Sequence, residues 1–118
     1  NAGHLVTISS VSAVRGARRA MTVYAATKAA LTSMSEGIRI DVMHTPIKVT
    51  TIHPGFIQSE INEKVKAVPF IVDTETGCKA MVRAIEKEVD SSFVPTWPWA
   101  LFRYIARIAP LSLLAKMS

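Results

Sequence analysis

The chain has 118 residues, of which 49% are hydrophobic and 19% are charged, a balance that excludes a disordered tail and favours one folded domain. Its net charge of +5 comes from scattered lysines and arginines without interleaved aromatic residues, which argues against a nucleic-acid partner. The single cysteine, Cys78, excludes an internal disulfide and a cysteine-based zinc site, and it fits a reducing, cytoplasmic setting.

The first half of the chain predicts a strand, a long helix and a second strand. The β-branched, apolar run Leu5–Ile8 predicts a buried strand that opens into a loop. Residues 23–43 are rich in Ala, Leu and Met and predict the longest helix, which Pro46 prevents from continuing. The run "KVTTI" at 48–52 predicts the second strand, which a Pro-Gly pair closes shortly afterwards.

The second half predicts two further helices and a third strand. Residues 59–65 are a candidate for a short helix, and apolar residues then recur at helical spacing from Cys78 to Val89. The run "SSFVPTW" at 91–97 is a candidate for a short strand. Strands that alternate with helices predict an α/β fold with about three parallel strands, covering helices and right-handed crossovers.

The tail, residues 97–118, is apolar and aromatic. Arg103, Arg107, Lys116 and Pro110 interrupt it, so it does not predict a membrane-spanning helix. Two interpretations remain, a helical segment that covers a substrate pocket or a subunit interface, which we favour, and an amphipathic segment on a membrane surface. In the favoured interpretation the tail's aromatic residues shape an apolar pocket: Trp97, Trp99, Phe102 and Tyr104.

Polar residues cluster where the predicted strands end. Ligands of parallel sheets bind beyond the carboxyl ends of the strands, so the residues that follow each strand are expected to converge. The residues concerned are Ser9, Ser10 and Ser12 after the first strand, Tyr24 and Lys28 at the start of the long helix, and His53, Pro54 and Gly55 after the second strand. The simpler alternatives are an exposed Tyr-Lys pair on a helix, serines that cap a turn, and a partly buried or loop histidine.

Tyr24 and Lys28 are four residues apart, which is one turn of helix. A free phenol exchanges protons poorly at neutral pH, but a fixed ammonium group beside it favours the phenolate. A serine hydroxyl opposite the phenol can hydrogen-bond the same substrate oxygen. Ser10 and Ser12 are both candidates for that serine.

Three ordered motifs, "TISSVSA", "YAATKAAL" and "IHPGFIQSE", resemble the C-terminal half of the short-chain dehydrogenase/reductases, over essentially all of residues 1–118. The resemblance implies half of a doubly wound, Rossmann-like sheet and NAD(P)-dependent interconversion of an alcohol and a carbonyl. It implies that Ser10 orients the substrate oxygen and that Tyr24 donates or accepts the proton. Lys28 would hold the ribose hydroxyls of NAD or NADP and favour the Tyr24 phenolate.

The resemblance also assigns residues after the second strand to the cofactor. Pro54 and Gly55 would line the nicotinamide, and Ile57 would meet the carboxamide through its backbone. Ser59, where the family more often has Thr, would offer the carboxamide a hydroxyl. The expected substrate is a small alcohol or carbonyl compound, and the tail suggests an apolar one.

The chain departs from the family pattern in ways that matter for function. Ser10 precedes Tyr24 by 14 positions, one more than is usual, so Ser12 competes for the serine role. The family's glycine-rich phosphate loop is absent from these residues, so we expect the C-terminal half of a longer enzyme that forms oligomers through the helix 23–43. The alternatives are a catalytically silent fragment and a membrane-surface or protein-binding module that acts through its tail.

Three arginines lie between the first strand and the long helix. Arg15, Arg18 and Arg19 stand close to where a substrate would enter, so one interpretation is that they attract an anionic substrate. We favour a solvated loop, because exposed charges need no partner.

Overall fold

The computed structural model describes residues 2–16, 18–19, 21–55 and 72–117. Its centre is a parallel three-stranded sheet in the order β1-β2-β3, formed by Gly3–Ile8, Ile47–Pro54 and Ser91–Val94. Within the described residues four α-helices accompany it: α1 (Met21–Asp41), α2 (Thr74–Glu86), α3 (Thr96–Ile108) and α4 (Leu111–Met117). This architecture confirms the predicted α/β fold with parallel strands and covering helices. The predicted short helix at 59–65 lies outside the described residues.

The three strands end at nearly the same level, which creates one polar edge. Ile8 pairs with Ile52, and Pro54 pairs with Val94. Two further backbone bonds extend the ladder past the strand ends, since the N–H of Ser9 donates to the Ile52 carbonyl and the N–H of Gly55 donates to the Val94 carbonyl, both at 2.7 Å. The residues that follow β1 and β2 are therefore held rigidly side by side.

Helix α2 covers one face of the sheet through an apolar cluster. Ile52, Ala84 and Val94 form its buried centre, and partly buried residues pack around them: Val6, Ala80, Met81, Ile85 and Val89. Alanines thus supply part of the inner face, whereas Cys78 and Val82, which periodicity placed there, are exposed. Small residues allow the helix to approach the sheet closely, and the periodicity of large apolar residues does not reveal them.

A second apolar cluster joins the tail to the segment after β1. A short 3-10 turn, Val11–Val14, follows β1, and Val11 packs with Phe93 and Trp99. Phe102 packs against the same cluster and meets Trp99 edge to face at a centroid distance of 5.2 Å. The tail therefore lies beside the end of the sheet that carries the polar edge.

The expected pocket of four tail aromatic residues is only partly present. Trp99 and Phe102 point inward, whereas Trp97 is 71% exposed and Tyr104 is 59% exposed. Trp97 has a non-helical backbone at the start of α3, which takes it off the inner face. Among the helices described, none has the length and apolarity that a membrane crossing demands.

Helix α1 rests on the opposite face of the sheet through a polar layer, which we define as Thr7, Ser35, Arg39 and Thr51. Ser35 and Thr51 are buried, and the Thr7 hydroxyl lies 2.8 Å from the Ser35 hydroxyl and donates to Thr51 Oγ1 at 3.1 Å. Arg39 donates to the carbonyl of Asp90 at 2.6 Å. Because buried polar groups must be hydrogen-bonded, this layer fixes the position of α1 along the sheet.

Candidate active site

Ser10 lies at the carboxyl end of β1 and is buried. Its hydroxyl accepts the backbone N–H of Ser12 at 3.1 Å and so caps the 3-10 turn. A serine hydroxyl has two lone pairs and a proton, so this cap leaves Ser10 free to donate to a substrate oxygen. Ser12 is half-buried within the turn. The capping role considered for the serines and the proposed substrate role are thus compatible in Ser10.

Tyr24 and Lys28 lie one turn apart on α1, as the helical spacing predicted. The Lys28 ammonium nitrogen is 5.8 Å from the centre of the Tyr24 ring, and Tyr24 is 41% exposed. The same ammonium donates to the Ile8 carbonyl at 2.9 Å, which ties it to the end of β1. An ammonium group has three N–H donors, so two remain for other partners at this edge.

Gly55 is the first residue after β2, and Pro54, the last residue of that strand, is half-buried. The Trp99 indole lies directly over Gly55, because a Cβ added there would overlap the indole nitrogen and come within 2.7 Å of its Cε2 atom. Any cofactor contact at Gly55 would therefore use backbone groups. The other two residues assigned to the cofactor by resemblance, Ile57 and Ser59, lie outside the described residues.

His53 is a buried residue of β2 rather than a loop histidine. Its ring stacks on Phe93 with centroids 4.5 Å apart and planes 15° apart. Burial lowers the pKa of His53 below its usual 6.5, the positive charge of Arg103 lowers it further, and a backbone hydrogen bond at Ser92 acts in the opposite direction. Sequence reasoning missed this position because a histidine before a Pro-Gly pair is usually outside the strand.

The lowered pKa of His53 predicts a loss of stability in mild acid. An unfolded histidine takes up a proton as the pH falls through about 6.5, but the folded His53 resists it, so the unfolding free energy should fall below that pH and level off below the folded pKa. Urea unfolding between pH 8 and pH 5 measures this. His53→Asn retains His4 and His44 and should flatten the profile; an unchanged profile would contradict the assignment. The lowered pKa of Asp73 acts nearer pH 4, in a separate window.

The arginines that follow β1 bind the tail. Arg15 donates to the carbonyls of Ala106 and Arg107, both at 2.8 Å, and Arg18 donates to the Ala115 carbonyl at 3.1 Å. These carbonyls belong to the last turns of α3 and α4, where helical backbone acceptors are left without intrahelical donors. The expected solvated loop is therefore wrong for the half-buried Arg15, whereas Arg18 and Arg19 are exposed as expected, and Arg18 also joins the loop to α4.

The structure brings the end of β1 and the start of α1 into direct contact. Lys28 bonds to the Ile8 carbonyl, and the Ser9 hydroxyl donates to the Lys28 carbonyl at 3.0 Å. The end of β2 is joined to the same edge by the Ser9 to Ile52 backbone bond. In the described part of the chain, no three side chains of His, Cys, Asp or Glu come together as a metal site requires.

A parallel sheet with helices on both faces is the architecture of a Rossmann-like α/β protein. The sequence model of the family described as short chain dehydrogenase matches residues 1–70, more than half of the chain. The chain therefore belongs to the short-chain dehydrogenase family, which confirms the resemblance seen in the three motifs.

Relatives of this chain are named as oxidoreductases. An uncharacterized oxidoreductase of Mycobacterium tuberculosis is 46% identical over 98 residues, which cover 83% of this chain and 39% of the relative. An uncharacterized oxidoreductase of Myxococcus xanthus is 33% identical over 110 residues, covering 92% of this chain and 42% of the relative. The chain thus spans well under half the length of these relatives.

A solved structure shares the fold. A short chain dehydrogenase from Burkholderia cenocepacia, solved in complex with NADP, superposes with a TM-score of 0.75 at 24% sequence identity. The match covers 98% of this chain and 49% of that protein. At this identity the likeness establishes the Rossmann-like fold and nothing about ligands.

Proposed function

We propose that these residues form the proton-transfer half of an NAD(P)-dependent oxidoreductase that interconverts an alcohol and a carbonyl. The observation that carries the proposal is the position of Lys28. Its ammonium lies one helical turn from the Tyr24 ring and is fixed to the end of β1, where Ser10 follows within two residues. Membership of an oxidoreductase family supports the same conclusion.

Each of the three side chains has a separate role in the transfer of one proton. Tyr24 gives its phenolic proton to the carbonyl oxygen during reduction and takes it back during oxidation. Ser10 donates a hydrogen bond to that oxygen as its charge develops. Lys28 holds a positive charge beside the phenol, which favours the phenolate when the proton has left.

The residues present fit NAD or NADP. When bound, the nicotinamide ring supplies or accepts the hydride. The two free N–H donors of Lys28 would suit ribose hydroxyls, and by resemblance Pro54 and Gly55 would line the ring while Ile57 and Ser59 would meet the carboxamide. Membership of the short-chain dehydrogenase family supports this cofactor class.

A cofactor and substrate assay tests the proposal. The complete gene product that carries these residues should oxidise NADH or NADPH in the presence of small apolar ketones or aldehydes, because the tail places Trp99 and Phe102 beside the polar edge. Absorbance at the nicotinamide band reports turnover. A complete gene product that binds neither cofactor, and turns over none of a broad carbonyl panel, would contradict the proposal.

The isolated 118-residue chain provides a matched comparison. It should bind either cofactor weakly, because its sequence contains no glycine-rich turn to hold the pyrophosphate at a helix N-terminus. A fluorescence titration measures this binding. Tight, saturable binding would show that the described edge alone holds the cofactor and would remove the expectation of a silent fragment.

We further propose assembly through α1 and a cytoplasmic setting. Small residues on one side of α1 are exposed and allow close approach of a second copy: Ala26, Ala30, Ser33 and Gly37. Cys78 is exposed and unpaired, as suits a reducing compartment.

A further inference from the structure

A chain of polar side chains runs from α1 to β3 beneath the Tyr24–Lys28 pair. The Ser9 hydroxyl donates to the Lys28 carbonyl at 3.0 Å and lies 2.6 Å from the Thr32 hydroxyl. Thr32 Oγ1 lies 3.4 Å from His53 Nε2, and His53 Nδ1 lies 3.4 Å from the Ser91 hydroxyl. We call Ser9, Thr32, His53 and Ser91 the hydroxyl–imidazole chain.

The direction of each hydrogen bond follows from counting protons. A carbonyl oxygen only accepts, so the one proton of the Ser9 hydroxyl goes to Lys28, and Thr32 must donate to Ser9. Thr32 has then used its own proton, so the His53 ring must donate from Nε2. Nδ1 is left to accept from Ser91. Among these side-chain contacts, the count calls for the Nε2–H tautomer of a neutral His53, a charge state that burial of the ring favours, and the backbone of Ser92 competes for the same ring proton.

Ser9 is the fixed end of this chain. Its backbone N–H donates to Ile52 within the sheet, and its side chain holds the helix carbonyl of Lys28. Thr32 lies on the next turn of α1, four residues after Lys28, and so faces the same strand end. Hydrogen bonds from Ser9 at the end of β1 therefore hold α1 at two successive turns, next to the residues proposed to move the proton.

We propose that Ser9 and Thr32 are positioning residues for the Tyr24–Lys28 pair, with His53 as the neutral donor that orients Thr32. The proposal rests on the proposed function for its catalytic consequence, but the hydrogen-bond chain itself does not depend on activity. Proton transfer is sensitive to displacements of about 1 Å. Release of a helix turn from the strand end should therefore lower kcat rather than weaken substrate binding.

Kinetics of two matched variants of the complete gene product test the positioning role. Thr32→Val keeps the shape and removes the hydroxyl, and it should lower kcat about tenfold while KM changes less than about twofold. Thr32→Ser keeps the hydroxyl and should retain at least about half of the wild-type kcat. Unchanged kcat in Thr32→Val, or equal losses in both variants, would overturn the proposal, because a merely structural hydroxyl would change the melting temperature alone.

Two measurements that do not depend on turnover distinguish a failure of the positioning role from a failure of the proposed function. Nitrogen-15 NMR of the wild-type imidazole should show the proton of His53 on Nε2, and a proton on Nδ1 would overturn the chain. Amide hydrogen exchange of α1 residues 21–32 should be faster in Thr32→Val and in Ser9→Ala than in Thr32→Ser. If these results hold in a protein without dehydrogenase activity, the proposed function fails and the anchoring of α1 stands; if exchange is equal in all variants, the anchoring is wrong.

Discussion

Replacing Tyr24 with Phe is expected to lower kcat of the complete gene product by about 10²–10⁴-fold, the usual contribution of a positioned general acid or base. The variant loses only the phenolic hydroxyl group, and the ring keeps its place one turn from Lys28. Because Tyr24 is 41% exposed, the unfolding temperature should stay close to that of the wild type. Steady-state kinetics with saturating cofactor, together with a thermal melt, measure both quantities.

The chain contains its own control for this change. Tyr104 is the only other tyrosine, it is more exposed, and it lies on α3 next to Arg103, whose guanidinium donates to its hydroxyl. Tyr104→Phe likewise removes one phenolic hydroxyl group, and it should leave kcat within about twofold of the wild-type value. A Tyr24→Phe enzyme that keeps more than a tenth of its rate would show that another group supplies the proton.

Replacing Gly55 with Ala is expected to destabilise the protein by about 1–3 kcal/mol, the usual cost of overpacking. The new Cβ would meet the Trp99 indole at 2.7–2.8 Å from two ring carbons, and Trp99 is part of the cluster that joins the tail to the end of the sheet. Relief of the clash requires the tail to move. Urea unfolding measures the loss.

Gly37→Ala is the matched control. An added Cβ at Gly37 meets nothing within 4 Å, and the residue lies in the middle of α1, so this variant should gain about 0.5–1 kcal/mol. Combining Gly55→Ala with Trp99→Phe should recover part of the loss, because the two sites are in contact. Additive losses in the double variant would mean that the indole is not the source of the clash.

Periodicity and turn residues predicted the sequence of elements well. The predicted strand Leu5–Ile8 corresponds to β1, but the expectation that it is buried is wrong: Leu5 is 40% and Ile8 43% exposed, because β1 is an outer strand of the described sheet. The predicted helix 23–43 corresponds to α1 with both ends two residues earlier. The strand at 48–52 proved longer, since β2 continues through His53 and Pro54. A Pro-Gly pair predicts the end of a strand before it, but pairing with the backbone of β3 extends β2 as far as Pro54.

The polar contacts of the site were harder to predict. Helical spacing was enough to place Tyr24 beside Lys28, and the strand end was enough to place Ser10. Ser9 was also placed at the strand end, but its contact with Thr32 was not predicted, because a hydroxyl on an inward face looks the same in sequence as one on a surface. The i and i+4 relation between Lys28 and Thr32, next to the strand end at Ser9, is the signal that could have found this contact.

The attachment of the tail by Arg15 and Arg18 has a consequence for substitutions in the tail. Both guanidiniums hold main-chain carbonyl groups of α3 and α4, which every residue type provides. Substitutions of tail side chains should therefore leave these hydrogen bonds in place. The loop after β1 would keep its hold on α3 and α4 while the exposed side chains of the two helices vary.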